Sequence, residues 1–350
     1  MLFITGKVKA QMVRRYWIIV AVVVVILVGV VVYQTTTTPK QVTLLVYSAD
    51  AYVGEANAFI KNFSSSEGVS ASLKSAGSFA LAQQIAQGSP CDVFFSIARP
   101  AIQKQYLRSQ FPGWAVAIAS DQVVIAYSNS IASNSEANTI ITNYNTLKGK
   151  LNMLQWKLLF DQLTSGAVKV GIANPATDPA GLRGWLVLEA AGYVYAGNQS
   201  YYVERIISSN GNVTGEHAAN LVAPLETGEI QFLFIYRSFA ISHKLNFIAL
   251  ENKINFGDLS MDSFYSKFTY KLATGIQKGG PTVLYVTVPL NSENKDIAYR
   301  FVVYVAKHAQ ILRSFGMIPL NPVIIYNSTA LPAQIQQLLN DGTAKIGGNL

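Results

Sequence analysis

The sequence predicts an α/β protein with mixed, mostly parallel sheets, preceded by one N-terminal transmembrane helix. Two observations carry this. From residue 42 to about residue 339, strand-length apolar runs alternate with helix-length amphipathic ones, the pattern of βαβ units. Ahead of them lies a single apolar block, residues 16–33, in which every residue up to Val32 except Gly29 is Tyr, Trp, Ile, Val, Ala or Leu. At 350 residues the chain is long enough for two compact lobes, each with its own core.

The apolar block comes first. As a helix rising ~1.5 Å per residue it would extend about 27 Å, close to the thickness of a bilayer core. Its many valines favour a strand in water, but in lipid a helix is the only single segment that satisfies its own backbone. Cleaved signal peptides have shorter apolar cores that end at small residues. This block exits through Val32-Tyr33-Gln34, and no cysteine follows to carry a lipid, since the only one is Cys91. An uncleaved anchor is expected, with cleavage as the alternative. Lys7, Lys9, Arg14 and Arg15 precede the span and no acid lies within residues 1–33, which puts residues 1–15 in the cytoplasm and the body outside. Residues 34–41, with Thr35-Thr36-Thr37-Thr38-Pro39, read as a tether.

The body then alternates. Strands are expected at 42–48, 69–74 and 93–96, with helices at 55–63, at 79–87 (stopped by Gly88) and at 100–109 behind Pro100. A strand pair at 116–127 leaves the first lobe. A second series follows: strand 168–173, helix 179–195, helix 216–227 closed by Gly228, and strand 230–236. Strand 283–288, an amphipathic helix at 298–315 and a last helix at 331–339 complete it, and residues 341–350 read as a loose tail.

Composition excludes several functions. Without the four basic residues before the span, 23 basic residues face 19 acidic ones, a mild surplus with no basic-aromatic patch for nucleic acid. One cysteine rules out an intramolecular disulfide and a CxxC site. His217, His243 and His308 are scattered, so zinc catalysis lacks ligands at useful spacing, and no Gly-x-Ser-x-Gly elbow appears. The chain reads as a non-enzyme that calls for no cofactor. Asn62, Asn198, Asn212 and Asn327 each open an Asn-x-Ser/Thr glycosylation tripeptide, consistent with an outside location.

Several segments in order carry a resemblance. They are Val46-Tyr47-Ser48-Ala49, Ala76-Gly77-Ser78, Gly88-Ser89-Pro90-Cys91-Asp92-Val93, the stretch from Asn174-Pro175-Ala176-Thr177 to Asp178-Pro179-Ala180-Gly181, and Glu226-Thr227-Gly228-Glu229 leading into Phe234-Ile235-Tyr236. Together, over residues 42–335, the chain resembles the substrate-binding proteins of molybdate/tungstate ABC transporters, especially the archaeal branch. The resemblance implies a two-lobed periplasmic-binding-protein fold. Lobe 1 would hold residues 42–119 and 286–340, lobe 2 residues 120–285, with hinge crossings near 118–123 and 285–289. It also implies an oxyanion ligand, an ABC permease and an ATPase as partners. The same fold binds sulfate, thiosulfate and phosphate, and an anchored sensory ectodomain is the other alternative.

An oxyanion between lobes calls for neutral donors, and helix N-termini supply them. Ser78 matches a family ligand position, although a serine there also serves as an ordinary N-cap. At Asp178-Pro179-Ala180 the resemblance implies an oxyanion bond from the Ala180 amide and direct ligation of the metal centre by the Asp178 carboxylate. Asp followed by Pro is equally a common helix start, and the two readings stay open. The family's second carboxylate falls on Ala218, with Glu216 beside it as a substitute or a first-turn acid. The family's first serine falls on Ala51, with Ser48 nearby to supply a hydroxyl. Tyr236, at a strand's carboxyl end where ligands gather, matches a family donor or fills the interface. Asp50 near an anion is unfavourable unless it points away or holds a neighbour, and Arg183 reads as a surface or inter-lobe pair.

Overall fold

A computed structural model describes residues 14, 16–26, 43–147, 149–273 and 275–350. The chain divides into two units, Met1–Val42 and Thr43–Leu350. In the first, residues 16–26 are helical and exposed, whereas residues 27–33 of the expected span, and the tether, lie outside the described residues. Among the described residues no helix is long and apolar enough to cross a membrane.

The second unit opens as the alternation predicts. Strand β1 (Thr43–Ala49) leads into the helix Val53–Glu67, β2 (Ser70–Ala76) into the helix Ser78–Ala86, and β3 (Val93–Ser96) follows. β1 pairs in parallel with both β2 and β3, so all three carboxyl ends face one way. β4 (Trp114–Ser120) is buried throughout, and the chain then crosses at Asp121 and Gln122 into β5 (Val123–Tyr127) of a different sheet. That sheet is completed by β6 (Val170–Gly171), β7 (Asn212–Val213), β8 (Phe232–Tyr236) and β9 (Asn246–Ala249), in the order β7-β6-β8-β5-β9. A hairpin of β10 (Thr269–Leu272) and β11 (Gly275–Lys278) precedes the return crossing. β12 (Val283–Thr287), β13 (Ile318–Asn327) and β14 (Ala344–Gly348) then rejoin the first sheet, whose order is β14-β13-β4-β12-β3-β1-β2.

Five expectations change. Among the described residues, pairings divide into five parallel and six antiparallel, so the sheets are mixed without being mostly parallel. One antiparallel pairing is the hairpin β10–β11, and the other five involve β4, β5 or β12, the strands that flank the two crossings. The return crossing lies ahead of β12, near residues 279–282, because β12 already pairs with β3 and β4 from Val283 to Thr287. The helix expected at 100–109 breaks into three short turns, Pro100–Ile102, Lys104–Leu107 and Arg108–Gln110, interrupted where Gln103 is extended and Arg108 takes a φ of 51°. The strand expected at 168–173 narrows to Val170–Gly171. The tail is not loose: β14 satisfies the edge of β13, with Ala344 buried.

Two packing details fix the scaffold. The Asp92 carboxylate accepts from Leu45 N (2.8 Å), Ser292 Oγ (2.8 Å), Asn294 N (3.1 Å) and Asn294 Nδ2 (3.1 Å), so this motif acid ties β1 to the segment after β12. In the second lobe Trp156, Phe160, Tyr195 and Tyr202 form one aromatic cluster, which makes part of the tyrosine-rich stretch core and leaves Tyr193 exposed.

Candidate functional site

The carboxyl ends of β1, β2 and β8 and two lobe-2 helix starts converge between the sheets. After β1 the chain makes the tight turn Asp50–Tyr52, and the Ala51 N–H donates back to Asp50 Oδ1 (2.8 Å). After β2, Gly77 caps the helix Ser78–Ala86. A Cβ at Gly77 would lie 2.2 Å from the Thr177 carbonyl oxygen, just ahead of the helix capped by Asp178, so only glycine allows this approach. Ala80 N donates to that same carbonyl (3.4 Å).

Asp178 is the hub. It is buried and caps the helix Pro179–Ala191: Oδ1 accepts from Ala180 N (2.8 Å) and Oδ2 from Ala218 N (2.8 Å). The Ala180 amide, which the resemblance assigns to an oxyanion, is therefore bound to a carboxylate, together with the amide of Ala218. Cap and candidate ligand are the same group, because a carboxylate keeps lone pairs beyond those two bonds. The second start is capped by His217, one residue after the expected Glu216, and begins with the turn Ala218–Leu221 that leads into the helix Val222–Thr227. His217 Nδ1 accepts from Gly77 N (3.3 Å), a bond 140 residues apart in sequence that leaves the ring's proton on Nε2 when neutral.

Ligating atoms of Asp50, Asp178 and His217 all lie within 4.8 Å of one another. Burial raises the Asp178 carboxyl well above the usual carboxylate range, and the charge of Asp50 raises it further, against the Ala218 and Ala180 amides and Arg183. Burial raises Asp50 too, opposed first by His217 and then by amide hydrogen bonds. Asp50 Oδ2 is buried without a partner. Two carboxylates in this state are settled by a proton or by a cationic centre.

The other expected residues divide. Ser78 is fully buried, and its Oγ accepts from Ile97 N (3.2 Å), leaving its own hydrogen for a further acceptor. Tyr236 is buried at the end of β8, its ring 5.5 Å from that of Tyr52, and its hydroxyl accepts from Arg183 Nη1 at a long 3.5 Å. Ser48 is turned into its own loop, donating to the carbonyls of Ala49 (3.1 Å) and Tyr52 (3.3 Å). Glu216 is exposed, and its carboxylate accepts from Asn174 Nδ2 (3.4 Å) outside the cluster. Arg183 is buried rather than a surface pair. His217 carried no signal in the sequence, since its partners lie 39 and 167 residues away. Behind the cluster, buried Asp121 accepts from Tyr52 Oη (2.9 Å), and burial raises Glu55 to about 8 with the charge of Asp121 adding to it.

Residues 44–318 match the profile of the family described as bacterial extracellular solute-binding protein. The chain belongs to this family. An uncharacterized solute-binding protein of Sulfurisphaera tokodaii is 37% identical over 318 residues, which cover 87% of this chain and 83% of the relative. Another, from Saccharolobus solfataricus, is 36% identical over 316 residues, covering 87% and 78%. Among solved structures, the Azotobacter vinelandii periplasmic molybdate-binding protein superposes with a TM-score of 0.53 at 15% identity, over 79% of this chain and 98% of that one. The sulfate-binding protein SubI of Mycobacterium tuberculosis superposes with a TM-score of 0.51 at 13% identity, over 87% and 94%. The mixed α/β architecture of this solute-binding protein is that of a type II periplasmic binding protein. The Asp178 cluster lies where strand ends of its two larger sheets converge.

Proposed function

We propose that this solute-binding protein captures molybdate or tungstate between its lobes and delivers it to an ABC permease and its ATPase. The observation that carries the proposal is the pinned carboxylate of Asp178, beside Asp50 and His217 where two helix starts converge. A sulfate-like anion would meet the acids of Asp50 and Asp178, with only His217 and Arg183 to offset their charge. A high-valent metal centre reverses that sign, because the carboxylate oxygens become ligands to it. The Ser78 hydroxyl, buried and with its hydrogen free to donate, serves an oxo group, and Tyr236 closes the same side. The role is capture and release, with no catalytic step.

Tethering at the outer face of the membrane by residues 16–33 belongs to the same proposal, with the glycosylation tripeptides at Asn62 and Asn198 on exposed positions. Recovery of the chain in a carbonate-washed membrane fraction supports it, and full release into the soluble fraction defeats it.

A second reading rests on the same trio. Two carboxylates and an imidazole also suit a divalent transition metal as the transported solute. Thermal shift and calorimetry of the full chain decide between them, using tungstate, molybdate, sulfate, thiosulfate, phosphate and zinc or nickel chloride. Stabilisation by tungstate or molybdate, following mass action and lost in Asp178→Ala, supports the first reading. Stabilisation by the metal chlorides alone establishes the second. Stabilisation by sulfate, thiosulfate or phosphate alone, undiminished in Asp178→Ala, defeats both.

A further inference from the structure

A second inter-lobe feature has the opposite charge. A cavity of about 250 Å³ is lined by Arg99, Arg183, Lys278, Asp262, Tyr285 and Tyr326, among others. Arg99 follows β3 of the first sheet, Lys278 ends β11, and Arg183 lies one turn into the helix capped by Asp178. Three cations thus face one carboxylate. Neither Asp50, Ser78, Asp178 nor His217 lines this space, so it is separate from the acidic cluster.

The arginines are underused. Arg183 is 8% exposed, and its Nε has no partner. Its remaining bonds are long and go to neutral oxygens, 3.5 Å to Tyr236 Oη and 3.4 Å to the Pro281 carbonyl. Arg99 Nη2 donates to the Asn349 carbonyl, but its Nε is also buried without a partner, and its guanidinium lies over the Tyr326 ring at 4.3 Å. None of the ion pairs among the described residues involves Arg99, Arg183 or Lys278. A guanidinium stays charged in any protein setting, and burying it without a counter-charge is costly. Asp178 forms no ion pair with Arg183, and its two oxygens are engaged by the Ala180 and Ala218 amides.

We infer that this cavity is a second anion site, built for a small solute bearing phosphate or carboxylate groups. Two guanidinium forks suit the paired oxygens of such groups, and Lys278 adds a point charge at the exposed rim. The volume falls just below the range of about 300–1,000 Å³ typical of drug-sized ligands, which limits the solute to a few carbons. The aromatic rings of Tyr285 and Tyr326 supply its apolar wall.

The test is calorimetric titration of the full chain with inorganic phosphate and, separately, with succinate, at low salt. Both are repeated on Arg99→Met and on the double variant Arg99→Met/Lys278→Met, whose replaced side chains are not fully buried, so folding is retained and checked by melting temperature. Expected is binding to the unmodified chain, weakened by about tenfold or more in the double variant, as for lost charge-assisted contacts. Phosphate binding without succinate assigns the ligand to phosphoesters, and succinate without phosphate assigns it to dicarboxylates. Either result, or both together, supports the site. Absence of binding to the unmodified chain at about 10 mM, a concentration that detects even millimolar affinity, overturns it. So does a double variant weakened less than about tenfold, which would place the anion elsewhere.

Discussion

The acidic cluster and the basic cavity lie on the same helix, Pro179–Ala191, yet they are organised in opposite ways. Asp178 at its cap has both oxygens pinned by amides of two helix starts. Arg183, one turn on, is buried with an unused Nε and two long bonds. In the first region the protein supplies the restraint and leaves charge to be neutralised by a proton or a metal centre. In the second it supplies charge and leaves the hydrogen bonds to be completed. Burial alone therefore does not define a binding site; what matters is which part of the interaction is left unfinished.

Breaking the acidic side has the largest expected effect. Asp178→Ala leaves two buried N–H groups unpaired at about 1–3 kcal/mol each, which outweighs relief of the crowded carboxylate. A loss of about 3 kcal/mol in urea unfolding is expected, with a smaller loss in Asp178→Asn, whose amide oxygen still accepts. A loss below about 1 kcal/mol would mean that the cap does not join the two starts.

Next is the approach of the lobes. Gly77→Ala drives a Cβ into the Thr177 carbonyl, so the lobes must separate or the loop must shift, at about 1–3 kcal/mol. Solution scattering should record a larger radius of gyration and tungstate affinity should fall. An unchanged scattering curve with full affinity would show that the loop yields instead.

The third prediction concerns pH. Glu55 rises from 4.5 to about 8 through burial, so the folded state holds a proton that the unfolded state has lost between those values. Stability therefore falls as pH rises across that window and levels off above it. Glu55→Gln removes this dependence: its advantage over the parent chain should grow from about pH 4.5 to about pH 8. Parallel stability curves would assign the slope to the Asp50–Asp178 pair alone.

The smallest effect lies where the two regions touch. Tyr236→Phe deletes only the 3.5 Å bond from Arg183, so stability should change by about 1 kcal/mol or less. A shift in oxyanion affinity without a matching shift in melting temperature would sharpen the comparison, because it would place the hydroxyl on the ligand rather than on the arginine.

The sequence made β1 to β3, the strand pair across the first crossing and the cap at Asp178 legible, because each rests on short-range patterning or on a neighbour pair such as Asp-Pro. Ala51, Ser78, Ala180, Ala218 and Tyr236 were located by resemblance, and the structure gathers them at the ends of strands and helices. The break at Gln103, the strand at Ala344–Gly348 and the crossing before Val283 were not legible. Each depends on what a distant strand edge or lobe offers to the backbone, and no local pattern encodes that.

By itself the sequence determined the α/β alternation, the apolar block at residues 16–33 and the helix starts after Gly77 and Asp178, all of which follow from periodicity and capping chemistry. Tertiary structure alone decided which charges meet. His217 joined Asp50 and Asp178 across separations no spacing rule reaches, and Arg183 was buried with no ion pair among the described residues. Electrostatic energy depends on distance and burial in three dimensions, and neither is a property of position along the chain.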